Sequence, residues 1–189
     1  MLPKTAPRCI PTTFATAPLG NRGIGLGMLA RSFAGTDIAW VVDQSATRVA
    51  EAVALFGKDV RGSTDISAPL TDASVDIVIV AVPDYLHRMI AEPALRAGKH
   101  VFLEKPLATT AEDAGAILAA WQKSGRVLQL GYVLRQAAFY AAIRAVLREG
   151  ALGRIRIASL SEKSEKTPSS KIVPLWTDDY ASLLPIMSW

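Results

Sequence analysis

Short apolar runs alternate with stretches of helical spacing along most of this 189-residue chain, and that alternation constrains the fold more than any other feature. Residues 38–42, 76–82, 101–103 and 127–130 read as strands, two of them continuous Val/Ile runs of the kind buried on both faces. Between them Ala46–Phe56 and residues 85–97 and 111–123 carry apolar side chains at helical spacing. Gly57, Gly98 and Gly125 fall where those helices should stop, and Thr109 with Glu112, or Thr110 with Asp113, offers a capping box for the last. Alternating strand and helix predicts a parallel sheet with right-handed crossovers, a doubly wound α/β fold.

A chain of this length that is 50% hydrophobic can bury roughly 70% of its unfolded surface, enough for one full domain and the beginning of a second. The net charge is +4, and between residues 121 and 157 seven cations face the single acid Glu149. Arg144 and Arg148 lie near a predicted helix C-terminus, where cations suit the dipole, so that surplus reads as a solvated face. No aromatic interleaving suggests a nucleic-acid surface.

Cys9 is the only cysteine, which excludes an intramolecular disulfide and a cysteine-rich metal site, and no metal ligand set is expected. The apolar run 77–82 is far too short to cross a bilayer, and Pro3, Pro7 and Pro11 leave no apolar core for a signal peptide. A cytoplasmic protein without membrane contact is expected.

In doubly wound sheets ligands bind beyond the carboxyl ends of the strands. The strand at 101–103 delivers Glu104, Lys105 and Pro106 to that crevice, and Pro106 restricts Lys105 to extended backbone. A nucleotide fingerprint belongs at the first strand-to-helix turn, and two registers compete for it. Gly25, Gly27 and Ala30 fit formally, but the strand would then cross Pro18, Gly20 and Gly23 and leave little helix before Ile38. In the preferred register Thr12–Ala17 is the strand, residues 24–33 are the helix, and Gly20 and Gly23 are the second and third glycines. Gly20 would let backbone approach a pyrophosphate and Gly23 would let helix pack on strand, with Asn21 and Arg22 between them. Pro18 stands in the first glycine's place, where it fixes φ and removes a donor. Asp43 follows Gly20 by 23 residues, close to the spacing of an acid that binds adenosine ribose hydroxyls. His87, early in a helix, reads by itself as a surface or capping residue.

The segments LGNRG, WVVD, VAVPDYLH, AGKHVFLEKPLATTAEDA, VLQLGYVLR and LREGALGRIRIASL together resemble the Gfo/Idh/MocA-like oxidoreductases, the glucose-fructose oxidoreductase and inositol dehydrogenase family, over residues 19–161. The resemblance implies a dinucleotide-binding Rossmann domain at residues 1–131 and the start of a substrate domain at 132–189. It implies NAD as cofactor, with NADP compatible, and a sugar or polyol as substrate. Gly20, Asn21, Arg22 and Gly23 would meet the pyrophosphate, Asp43 the adenosine ribose, Pro83 and His87 the cofactor's neighbourhood, and Glu104 and Lys105 the nicotinamide ribose and substrate. Lys105 would be the catalytic lysine, the bond before Pro106 is commonly cis in the family, and Tyr132 and Arg135 would lie near the substrate. A glycoside hydrolase of the same architecture and a non-catalytic nucleotide-binding remnant are the competing readings, and a homo-oligomer is compatible with all three.

Residues 1–18 lack the Val/Ile run that normally leads to the first glycine, and residues 162–189 match nothing in the family. The substrate domain's proton-transfer histidine has no counterpart after His100. These departures predict a truncated or frame-shifted product that does not turn over alone, and a strand at 154–160 with few strand-like followers.

Overall fold

The computed structural model describes residues 12–17, 20–133, 137–153, 157–160 and 173–176. The chain divides into two units, Met1–Gly131 and Tyr132–Trp189. In the first, strands β1 (Thr12–Ala17), β2 (Thr36–Val42), β3 (Arg61–Ser63), β4 (Ile77–Val80), β5 (His100–Leu103) and β6 (Leu128–Leu130) form one parallel sheet in the order β3-β2-β1-β4-β5-β6. The strand order reverses between β1 and β4, which places the ligand crevice at their carboxyl ends.

Helices α1 (Asn21–Arg31), α2 (Ala46–Phe56), α3 (Ser67–Thr71), α4 (His87–Arg96) and α5 (Ala111–Ser124) connect the strands. Two apolar clusters show both faces of the sheet to be covered. Ile79 joins Ile38, Val41, Ala30 of α1 and Phe56 of α2, whereas its neighbours Val78 and Val80 join Ala91 and Leu95 of α4 and Ile117 of α5. This alternation along β4 is why its sequence reads as an unbroken apolar run. Ile38 and Val41 are three apart yet share one cluster. The β1–β2 register explains it: Phe14 pairs with Ile38 but Ala15 with Trp40, so one extra residue on β2 restores both side chains to the same face.

The strand β1 and the helix α2 stand where the sequence predicts them, and β2 ends as predicted at Val42 but begins two residues early, at Thr36. Other boundaries move. α1 starts at Asn21 and not at residue 24, because buried Gly23 already packs in its first turn. β4 ends at Val80, and residues 81–83 belong to the loop that faces the crevice. Thr110 caps α5 by accepting from Asp113 N, and the Asp113 carboxylate is shared between the cap and Arg88, whose Nη1 lies 2.9 Å away.

In the second unit α6 spans Ala138–Arg148, with Arg148 in its last turn as the dipole favours. The expectation of a strand without followers is corrected. β7 (Ile157–Leu160) pairs antiparallel with β8 (Val173–Trp176), Ile157 opposite Trp176 and Leu160 opposite Val173. Pro174 disguised β8 in the sequence, since proline is tolerated only in strands that leave one side unpaired. Among the described residues no helix is long and apolar enough to cross a membrane.

Candidate cofactor site

The turn between β1 and α1 opens the site. Gly20 is the N-cap of α1, with φ −70° and ψ 172°, a conformation any residue could adopt. Its lack of a side chain therefore serves space rather than backbone freedom, and a Cβ built there meets nothing within 4 Å. No side chain caps α1 and no acid lies in its first turn, so its positive end is not neutralised from its own segment. Pro18 lies outside the described residues. Gly25 and Gly27 lie inside α1, which removes the alternative register.

At the end of β2, Asp43 is 6% exposed. Its Oδ1 accepts from Ser45 N at 2.8 Å, and Arg48 Nη1 stands 3.9 Å from its Oδ2. Ser45 in turn caps α2 by accepting from Arg48 N. Asp43 and Arg48 line a cavity of about 460 Å³ whose far wall is Pro83, Tyr85 and Met89. Tyr85 and Met89 are exposed apolar groups four apart, a pattern that could have marked this wall from sequence. Asp65, also on the rim, has its carboxyl held below the usual range by the Ser67 hydroxyl and amide.

The third part of the site is the end of β5. Glu104 continues the ladder, donating its N–H to the Val80 carbonyl at 2.9 Å, and is 7% exposed. Arg22 Nε donates to its Oε1 at 2.6 Å, which ties the first turn of α1 to the end of β5. Lys105 is exposed, and among the described residues its side chain has no hydrogen-bond or ion-pair partner. The Lys105–Pro106 peptide is cis.

His87 is neither a surface nor a capping residue, because it is fully buried. Its Nδ1 lies 2.7 Å from the Pro106 carbonyl and its Nε2 3.2 Å from the Val82 carbonyl. Both partners are carbonyl oxygens that can only accept, so a ring N–H is the donor in this arrangement. The ring thus joins the loop after β4, with Pro83, to the loop that carries Lys105. His87 braces the site from behind and does not line the cavity.

Gly20, Asn21, Arg22, Gly23, Asp43, Pro83, Glu104 and Lys105 therefore gather at the carboxyl edge of one sheet. Tyr132 opens the second unit, and Arg135 lies outside the described residues. Sequence reading missed the Arg22–Glu104 pair, which spans 82 positions, and the cavity wall around Tyr85.

A uniformly parallel sheet in this order, an uncapped helix at its switch point and a buried acid after the second strand define a dinucleotide-binding Rossmann unit. The family model for Gfo/Idh/MocA oxidoreductases, described as having an NAD-binding Rossmann fold, matches residues 24–132, and the chain belongs to that family. The match begins just past Gly23. Inositol 2-dehydrogenase of Salmonella typhimurium strain LT2 is 31% identical over 140 residues, 69% of this chain and 42% of that protein. The 1,5-anhydro-D-fructose reductase of Ensifer adhaerens is 42% identical over 99 residues, 52% of this chain and 29% of that protein. Among solved structures, aldose-aldose oxidoreductase from Caulobacter crescentus complexed with glycerol is 31% identical with a TM-score of 0.69, covering 78% of this chain and 46% of that one. The chain spans less than half the length of these relatives.

Proposed function

We propose that the first unit holds NAD and serves hydride transfer to or from a sugar or polyol hydroxyl carbon, with Lys105 moving the hydroxyl proton. The observation that carries this reading is the end of β5, where buried Glu104 meets Arg22 from the first turn of α1 and exposed Lys105 is the next residue along the chain. The residues suit the cofactor. An uncapped helix start with open space before Gly20 admits a pyrophosphate, buried Asp43 accepts ribose hydroxyls, and the adjoining cavity has apolar walls for a base. NAD supplies the hydride acceptor; the chain supplies orientation and a proton carrier. Lys105 suits that task because its side chain is exposed beside Glu104 and free of other partners among the described residues. Tyr132 and Arg135 are assigned to the substrate side by family resemblance.

Asp43 favours NAD over NADP. At about 4 Å and an effective dielectric near 20 a carboxylate repels a 2′-phosphate charge by roughly 4 kcal/mol, less whatever Arg48 offsets. Calorimetric titration of the chain with NAD and NADP, followed by NADH absorbance with a panel of polyols, tests the reading. NAD should bind more tightly, and in a form of the chain completed with a relative's substrate domain Lys105→Met should keep that affinity while cutting NADH formation about 100-fold or more. Tighter NADP binding removes Asp43 from its role, unchanged turnover removes Lys105, and no binding of either nucleotide overturns the reading.

A further inference from the structure

We propose that Arg22 and Glu104 are an exchange pair: a cofactor phosphate and the Glu104 carboxylate compete for one guanidinium, so that phosphate capture frees Glu104 to accept sugar hydroxyls. This rests on the reading of the α1 start as the pyrophosphate turn.

Four observations carry it. Arg22 is the second residue of α1, a cation placed at the positive end of a helix that has no acid in its first turn. Glu104, reaching from β5 with Oε1 2.6 Å from Arg22 Nε, offsets that positive charge as an arriving phosphate would. The two partners also differ in freedom: the Arg22 side chain is 55% exposed and the Glu104 side chain 9%. Finally, the nearly buried carboxylate fills the space that Gly131 leaves open, where a Cβ would stand 3.1 to 3.3 Å from its atoms. Glu104 therefore stays and Arg22 swings.

A guanidinium binds phosphate at least as well as carboxylate, with the same planar fork. Once Arg22 turns to a phosphate, Glu104 is a nearly buried group that can only accept, and it needs donors. Hydroxyls of a ribose or a polyol substrate provide them. Recognition of phosphate and of hydroxyls would thereby be coupled through one side chain, which makes Arg22 a positioning residue as well as a phosphate ligand.

ADP and adenosine, titrated calorimetrically at fixed ionic strength, separate the possibilities without turnover. ADP should bind more tightly than adenosine. Arg22→Ala should weaken ADP by about two- to fivefold or more, and Glu104→Gln should tighten it by about two- to fivefold, the worth of a half-exposed ion pair. Neither change should move adenosine. In the Arg22→Ala background Glu104→Gln should have no effect on ADP, because nothing remains to be exchanged. Equal tightening in both backgrounds would mean simple repulsion of phosphate by Glu104 and would overturn the exchange, as would unchanged ADP affinity in Glu104→Gln. If ADP binds no better than adenosine, both the pyrophosphate reading and this inference fall. Glu104→Asp, one methylene shorter, replaces Glu104→Gln should that variant not fold.

Discussion

The Glu104 carboxylate occupies the space in which a side chain on Gly131 would have to stand. A Cβ there would lie 3.1 Å from Oε1 and 3.2 Å from Cδ, tighter than ordinary contact, while Gly131 N donates to the Leu103 carbonyl and holds the backbone in place. Gly131 is thus needed for proximity to the acid.

Gly131→Ala should therefore push Glu104 away from Arg22, destabilise the chain by about 1 kcal/mol and weaken nucleotide binding. In a Glu104→Ala background the same substitution should cost nothing. Urea unfolding of the four variants of this cycle checks it, and an equal cost in both backgrounds would show that Glu104 is not what Gly131 accommodates.

Gly62 in β3 makes the corresponding prediction for the fold. A Cβ there would fall 2.3 Å from Val49 Cγ1 and 3.0 Å from Val53 Cγ2, so α2 lies on the strand at glycine distance. Gly62→Ala should cost about 1–3 kcal/mol, and Val49→Ala should recover part of that loss. Thermal melting of the single and double variants measures it. A silent Gly62→Ala would argue against the close seat of α2 on β3.

These two glycines also mark how far the sequence could be read. Runs such as residues 77–80 are buried on both faces, so apolarity alone reveals them. β3 is three residues of Arg, Gly and Ser at the sheet edge, and nothing local distinguishes it from a turn. Counting from the strand that ends at Leu103 put Glu104 and Lys105 just past its carboxyl end, where the structure has them. The partners of Glu104 could not be counted: Arg22 arrives from 82 positions away. His87 was misread because a polar residue early in a helix is usually exposed, and only the tertiary fold supplies the two carbonyls that let it be buried.

Acid should loosen the first unit through Asp72. Its carboxyl is held well below the usual carboxylate range by the Trp40 indole N–H, by the Ser74 hydroxyl and amide, and by Arg61, with which it forms an ion pair. Arg88 and Arg96 hold Glu92 in the same direction, and Arg88 and Thr110 hold Asp113. Groups with depressed folded values stabilise fully above the unfolded value, near 4, and lose that contribution as pH falls through the folded value. Melting temperature should thus fall steadily below about pH 4. Asp72→Asn should be about 1–2 kcal/mol less stable at pH 7, and that gap should narrow progressively as pH falls below about 4. A constant gap across that range would exclude the charge of Asp72 as the cause.

His87 makes the final prediction. It is the first residue of α4, and its ring spans two loops that have no other described side-chain link. Its Nδ1 faces the Pro106 carbonyl, one residue past Lys105, and its Nε2 faces the Val82 carbonyl, one residue before Pro83. His87→Leu fills much of the same volume but offers the Pro106 carbonyl no donor, which should cost about 1–3 kcal/mol. His87→Gln keeps an amide N–H and should lose less. If the ring does no more than fill the core, both variants should change stability alone and leave NAD affinity untouched. If it holds the Lys105 loop to the Pro83 loop, His87→Leu should weaken NAD binding by about tenfold, while hydrogen exchange accelerates in residues 82–86 and 104–108 and stays unchanged in β2 and α2. A uniform rise in exchange across the unit, with affinity retained, would assign His87 to packing and not to the site.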